Sequence, residues 1–574
     1  MIGDEYMTPG ENYKITSNDY MDIIIEYGSP ETLEQYQEFS VQIMNPSMAV
    51  IYIPLSQITS RLISDYGYTA IPKCFSLTNS QSLEASGITR LRTLPRVNLR
   101  GRGVVVGTVS TGIDYTNPVF RNPDGTTKIL SIWDQTIDTP NQFPDVVYPS
   151  YFGTEYTSDQ INQALQSPDP YQVVPSIDEI GDGTMLAGIA AGSENRENNF
   201  SGVAPDAELI VVKLKRAKKN LMDFFLIPED VNCYQETDII WAIQYMVDAA
   251  RRFRRPLAIC IGLGTSQENH DENGHLSNLV SIVGTFPGVA ISVSAGNEGN
   301  ARRHFFSEIN PLATPIPVEL NVGENEAGFS MELWGNPPLR YILNIVAPSG
   351  EYITPIFIGL RYTQEIRFIF EQTVIYIDYE MIEQHTGKQI ILLRFRNPTP
   401  GTWRFNVSAR GDLTGAFHIW LPSGNFISEN TYFLNSDPYT TVTSPGNSNT
   451  PITVTAYNSV TGTLYVNSGR GYSASNVITP DLAAPGVNIQ APSLNHTFTT
   501  MTGTSAATAH TTGITAMILE WSIVQNNYPG IDTVGIRNFI VRGARRSPQL
   551  QYPNRDWGYG IVDVYNAYNV FRST

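Results

Sequence analysis

The chain has 574 residues, 41% of them hydrophobic and 11% aromatic, which is enough for roughly three to four domains at about 150 residues each. Its 37 basic side chains against 55 acidic ones give a formal net charge of −18. A surface of that sign repels phosphate backbones, so nucleic acid is excluded as the expected partner. Short basic clusters at 213–219 and 251–255 read as solvated faces. Cys74, Cys233 and Cys260 are odd in number and far apart, so they form neither a disulfide framework nor a metal-ligand pattern. The N-terminal stretch is acidic and lacks an apolar core, so no secretory signal is visible. No apolar run reaches the ~18 residues of a transmembrane helix.

In chain order, residues 1–85 predict a small α+β domain. Strands are expected at 21–26 (MDIIIE), 48–55 and near 71–77. Helices are expected at 30–40, with Ser29 as N-cap before Pro30, and at 56–65. The polar, arginine-bearing stretch 80–102 reads as a linker. From Gly103 the texture becomes α/β. Continuous apolar runs at 103–110, 208–214, 257–262 and 289–294 are typical of buried parallel strands, and 237–253 has helical spacing. Alternation of the two predicts a parallel sheet covered by helices on both faces. That domain is expected to span 86–310 and 437–574. Between them, 311–436 carries short aromatic-rich runs (SMELWG, RYILNIV, KQIILLRFRN) separated by Gly, Pro and Asn turns. This pattern predicts an inserted antiparallel β-sandwich, jelly-roll-like. The α/β texture resumes with strands at 452–456 and 482–485 and a helix at 505–521.

Residues 502–513, TGTSAATAHTTG, place a serine hydroxyl at the start of a helix among small residues. The segment resembles the GTS-x-A-x-P-H motif of the subtilisin-like serine proteases, the subtilases, with Ser505 at the nucleophile position and Ala509 where the family has Pro. The resemblance makes His510 a packing residue. SAGNEG (294–299) resembles the family's oxyanion-hole turn and puts Asn297 at the donor position. DGTMLAGIAAG (182–192) resembles the helix that carries the catalytic histidine, but Asp182 stands where the histidine should be. VGTVSTGIDYTNPVF (106–120) resembles the strand-end motif D-[ST]-G-I-D, with Ser110 replacing the first Asp. Asp114, the motif's second acid, lies outside the triad. The four segments occur in subtilase order, and the likeness covers about 95–310 and 437–574. The N-terminal domain, the insertion and the phrase TGIDYTNPVF also resemble the clostridial Csp subtilases of spore germination, pseudoprotease type.

A serine hydroxyl needs a positioned base, and imidazole suits because it titrates near neutrality. An aspartate with an ordinary pKa of about 4 is a poor base for an alcohol and reaches less far. In subtilisin, losing the serine or histidine alone costs about 10⁶-fold in kcat. The expectation is therefore a pseudoprotease. Two rescue routes stay open: a relocated triad using another histidine (His270, His275, His304, His385, His418 or His496), or Asp182 with its pKa raised by burial beside Ser505. The retained Ser505 and Asn297 also have a plain explanation, since both positions demand small or turn-forming residues, and the groove could hold an extended peptide without cutting it.

The resemblance implies an N-terminal prodomain that here stays uncleaved, its linker near 77–86 plugging the groove. It further implies a regulatory role in germination, by germinant sensing or by control of an active Csp protease that activates a cortex-lytic pro-enzyme. Expected partners are those proteins, or other spore coat and cortex proteins, and a small-molecule germinant. The expected location is the cortex or coat region of the spore. No cofactor is expected. Calcium stays open because subtilase loops often bind it, although no loop here carries a full ligand pattern. The alternatives are an active serine endopeptidase with a rebuilt triad and a structural spore protein.

Overall fold

A computed structural model describes residues 11–29, 31–36, 38–59, 61–77, 84–93, 98–139, 152–353 and 359–573. At its centre is an eight-stranded sheet. The strands run in the order Leu482–Pro485, Ile452–Tyr457, Val289–Ser294, Leu257–Ile261, Val105–Ser110, Glu208–Lys213, Ile129–Asp134 and Thr154–Thr157. All neighbouring pairs are parallel except the last, an antiparallel edge.

Alternate residues of each strand serve different cores, which is why the runs are apolar throughout rather than alternating. Val106, Val211 and Cys260 face the helices Asp182–Ala191 and Thr504–Leu519. Val105, Ile210 and Ile259 face Glu236–Phe253 and His275–Val283. Both future site helices thus lie on one face of the sheet, and the N-terminal domain docks beyond the helices of the other.

The N-terminal domain is a three-stranded antiparallel sheet with Met48–Pro54 between Tyr20–Glu26 and Ser40–Asn45. The expected helix at 30–40 is cut to Glu31–Glu34, and a strand takes over at Ser40. The cause is the Asn45-Pro46-Ser47 turn: Asn45 Oδ1 accepts from the backbone N–H of Ser47 and of Met48, each at 2.9 Å, and closes a hairpin. Likewise the expected helix at 56–65 is a short 3₁₀ turn, Leu55–Gln57, and a helix, Leu62–Tyr66. One face of this sheet (Ile24, Val50, Tyr52) packs on the two helices behind the parallel sheet. The other (Met21, Ile23, Ile51) shares a core with Trp334, Ile390 and Trp420 of the inserted domain.

The expected linker at 80–102 contains structure. Its helix Ile88–Thr93 sends Ile88 and Leu91, both fully buried, into the main core. The inserted domain is two antiparallel sheets, six- and five-stranded, around an aromatic core that includes Phe329, Phe395, Trp403 and Phe405. Its first strand is His304–Ile309, paired with Gly415–Trp420. The insertion therefore opens ahead of the expected boundary at 311, because edge-to-edge pairing with a strand over a hundred residues later draws His304–Ile309 out of the α/β texture. No helix among the described residues is long and apolar enough to cross a membrane.

Candidate active site

The serine helix, Thr504–Leu519, is buried along its whole length. Such a helix must satisfy its polar side chains internally. Thr508, Thr511 and Thr512 do so by donating from Oγ1 to the carbonyls of Thr504, Ala507 and Thr508, each at 2.8 Å. Ser505 lies in the first turn, fully buried. A Cβ placed on Gly262 would meet Ser505 Cβ at 2.8 Å, so the strand-end backbone at 262 passes directly alongside it. Asn297, half-buried, accepts at Oδ1 from Thr504 N (3.1 Å) and Thr504 Oγ1 (3.2 Å). This fixes the turn to the start of the serine helix and leaves the Nδ2 amide as the group able to donate.

The second helix, Asp182–Ala191, is held at its start by Asp178. Asp178 Oδ1 accepts from Gly181 N (2.8 Å), and its Oδ2 accepts from Thr184 N (2.9 Å) and Thr184 Oγ1 (2.7 Å). Gly181 has φ +93°, a left-handed entry that suits glycine. Gly183 lies against the carbonyl oxygen of Gly112 with no room for a Cβ, and its N–H donates to Thr111 Oγ1 at 2.9 Å. The helix is thereby pressed onto the end of the strand Val105–Ser110.

At that junction Ser110 Oγ donates to Asp182 Oδ2 at 2.8 Å, with both side chains buried. Burial pushes the Asp182 carboxyl up to about 7; repulsion from Asp178 adds to this, and the Ser110 hydrogen bond pulls against it. An ordinary carboxylate near 4 is therefore the wrong description of Asp182. The raised value brings a base of suitable strength to neutral pH. However, Oδ2 is engaged by Ser110, and the side chain ends one bond nearer Cα than an imidazole Nε2 would. A contact between a strand-end residue and a helix-start residue is present, with a hydroxyl donor on the strand and a carboxyl on the helix.

The seven histidines are engaged elsewhere. His510 Nε2 meets Ser86 Oγ, and burial pushes it down to about 3. His304, His418 and Trp420 stack in mutual contact, with His304 Nε2 2.9 Å from His418 Nδ1, and burial holds His304 at about 3. His270 stacks on Trp420 with centroids 4.2 Å apart and is likewise lowered by burial, to about 4. Residues 265–271 are all buried, with His270 packed on Trp420 of the inserted domain and Gln267 accepting from the Cys74 N–H of the N-terminal domain. His275 and His385 both meet Glu26. His496, which has no acid near it in sequence, is 2.9 Å from Thr116 Oγ1, which donates to Asp114 Oδ1 at 2.6 Å.

Beside Ser505, the strand Leu263–Gly264 pairs antiparallel with Cys74–Leu77 of the N-terminal domain, Leu263 opposite Leu77 and Gly264 opposite Ser76. Cys74–Leu77 pairs on its other side with Tyr234–Gln235. The N-terminal domain therefore supplies the central strand of a three-stranded groove sheet. The linker expected to plug the groove, 77–86, follows directly on this strand, and its residues 78–83 lie outside the described residues.

A buried ion pair that no sequence pattern announced completes the docking: Lys218 Nζ donates to Asp22 Oδ1, and Gln235 Nε2 donates to Asp22 Oδ2 at 2.7 Å. The three cysteines are free and buried. Among the described residues no group of three or more His, Cys, Asp or Glu is arranged to hold a metal.

The fold and this arrangement define a subtilase. The subtilase family pattern matches residues 101–317 and 397–560, and the chain belongs to that family. Among solved structures, the Clostridium perfringens CspB protease is similar over 85% of this chain and 98% of its own, at 28% identity and a TM-score of 0.75. Sphericase matches at 16% identity and a TM-score of 0.42 over 84% of this chain and 99% of its own. No curated protein matches.

Proposed function

We propose that this subtilase is a pseudoprotease, keeping its prodomain attached and acting as a regulator of spore germination rather than as a peptidase. The observation that carries the reading is the buried Ser110–Asp182 hydrogen bond at the place where a subtilase needs its acid–imidazole pair. An imidazole is the side chain that takes a serine proton and passes it to a leaving amine, and position 182 carries a carboxyl in its place. The likeness to a protease named CspB, together with the sequence resemblance to germination subtilases, supports a place beside an active Csp protease and its cortex-lytic pro-enzyme in the spore.

The second reading, a serine endopeptidase with a rebuilt site, draws on one observation: the Asp182 carboxyl raised to about 7. A fluorophosphonate probe separates the two. A pseudoprotease stays unlabelled and runs as one full-length band; labelling lost in Ser505→Ala, or cleavage between 77 and 84, supports the peptidase. For the role itself, a pull-down from spores should capture an active Csp protease or the cortex-lytic pro-enzyme. A deletion that alters spore assembly but leaves the germinant response intact would favour a structural protein instead.

A further inference from the structure

Three parts of the chain meet at one carboxylate. Glu26 ends the prodomain strand Tyr20–Glu26, His275 opens the subtilase helix His275–Val283, and His385 lies in the inserted domain. Glu26 Oε1 is 3.1 Å from His275 Nδ1, and Glu26 Oε2 is 3.4 Å from His385 Nε2. The far nitrogens of both rings also face acceptors: His275 Nε2 is 2.9 Å from the Thr69 carbonyl of the prodomain, and His385 Nδ1 is 3.0 Å from the Asn273 carbonyl of the core. The two rings meet edge to face, with centroids 5.3 Å apart.

A neutral imidazole carries one N–H. A ring with a hydrogen-bond acceptor on each nitrogen, as His275 has, can satisfy both only as imidazolium; His385 bonds the Asn273 carbonyl through Nδ1 and meets Glu26 at ion-pair distance. His270 also faces two acceptors, the Val442 and Ser266 carbonyls, but has no carboxylate beside it, and burial makes it a weak base near 4. At His275 and His385 a counter-ion is supplied, and the His275 hydrogen bond with both imidazole charges holds Glu26 below the usual carboxylate range.

The surrounding charges are committed to other partners. On the prodomain, Lys73 Nζ donates to backbone carbonyls, including that of Ile71, and Asp22 is bound by Lys218. From the core, Glu236 Oε1 accepts from Leu276 N at 3.0 Å, Glu268 accepts from Ser444 Oγ at 2.6 Å, and Asp248 pairs with Arg251 at 3.5 Å. Glu272 is raised by burial and by Asp271. From the insertion, Lys388 pairs with Asp271 at 2.8 Å and Arg361 with Glu380 at 2.7 Å. Glu383 accepts from the His385 backbone N–H at 3.0 Å and adds negative potential at that ring. Glu26, the member of the cluster that faces solvent, is among the residues lining a cleft of about 810 Å³ between the prodomain and the two helices beneath it.

We propose that Glu26, His275 and His385 form a proton-controlled latch that fastens the prodomain to the subtilase domain and to the insertion at once. It is closed while both imidazoles carry their second proton and slackens as rising pH removes it. The prodomain, and with it the groove strand, is then held by a contact that the pH around the protein sets. This goes beyond the silent active site and does not depend on it, since the latch would operate in a cutting subtilase as well.

The test is amide hydrogen exchange on the full chain, corrected for intrinsic rates, at about pH 5.5 and about pH 8. Protection of Tyr20–Glu26 and Cys74–Leu77 should fall about tenfold from the lower pH to the higher, while the strand Leu257–Ile261 changes little. Glu26→Gln should abolish that pH dependence. His385→Gln, at the edge of the cluster and the milder change, should remove part of it. An unchanged wild-type profile, or variants that retain the full pH dependence, would overturn the latch. If Glu26→Gln does not fold, His385→Gln decides alone.

Discussion

Replacing Asp182 by Asn tests the physical state of the degenerate site most directly. Asn keeps the shape, and its carbonyl still accepts from Ser110 Oγ, but it cannot ionise. In the unfolded chain an aspartate titrates near ~3.9. In the fold the Asp182 carboxyl titrates at about 7. Protons are therefore held more tightly by the folded state, so the residue's contribution to stability is fully present below about pH 4 and is lost as pH rises through about 7. Three pH units at ~1.4 kcal/mol each give a cost of about 4 kcal/mol for the wild type at pH 8 relative to pH 4. The residue is buried, so solvent screening takes little from this figure.

The assay is urea unfolding of both proteins, followed by tryptophan fluorescence across pH 4–8. The other titrating groups cancel in the difference between them. Asp182→Asn should gain on the wild type by about 1.4 kcal/mol per pH unit between pH 4 and 7 and then level off. Ser110→Ala in the wild-type background removes the hydrogen bond that favours the charged form and should move the plateau to higher pH. A difference between wild type and Asp182→Asn that stays flat with pH would refute the account of a buried, largely desolvated carboxyl.

Asp22→Asn leaves Lys218 buried without its counter-ion and should cost about 3–5 kcal/mol, read as a lowered urea midpoint together with early protease cutting within residues 11–77. A loss under about 1 kcal/mol would mean that the pair contributes little to docking of the N-terminal domain. Gly183→Ala forces a methyl group onto the Gly112 carbonyl, where only backbone can yield; a loss of about 1–3 kcal/mol is expected, and a neutral thermal midpoint would show that the strand end and helix start are not pressed together as described.

Much of this molecule is written locally. The parallel strands are legible because both faces are buried, so Val105–Ser110 or Val289–Ser294 read as unbroken apolar runs whatever surrounds them. The subtilase segments are legible because small residues are required wherever the serine helix is enclosed on all sides, and the absence of a histidine at position 182 is a fact of sequence alone. The N-terminal domain is less legible in its sequence. No Pro or Gly stands between Glu34 and Ser40, so the break between helix and strand is set by the Asn45 turn and by pairing with Met48–Pro54.

Long-range partners needed the tertiary structure. The hydrogen bond between Ser110 and Asp182 and the upward shift of that carboxyl arise from burial between two elements 72 residues apart in sequence. The meeting of Glu26, His275 and His385 joins three domains, and the groove strand Cys74–Leu77 takes its place only by pairing on both edges. The sequence determines which side chains are available to this protein. Their charge states depend on desolvation and on neighbours brought together by folding, and the tertiary structure decides those.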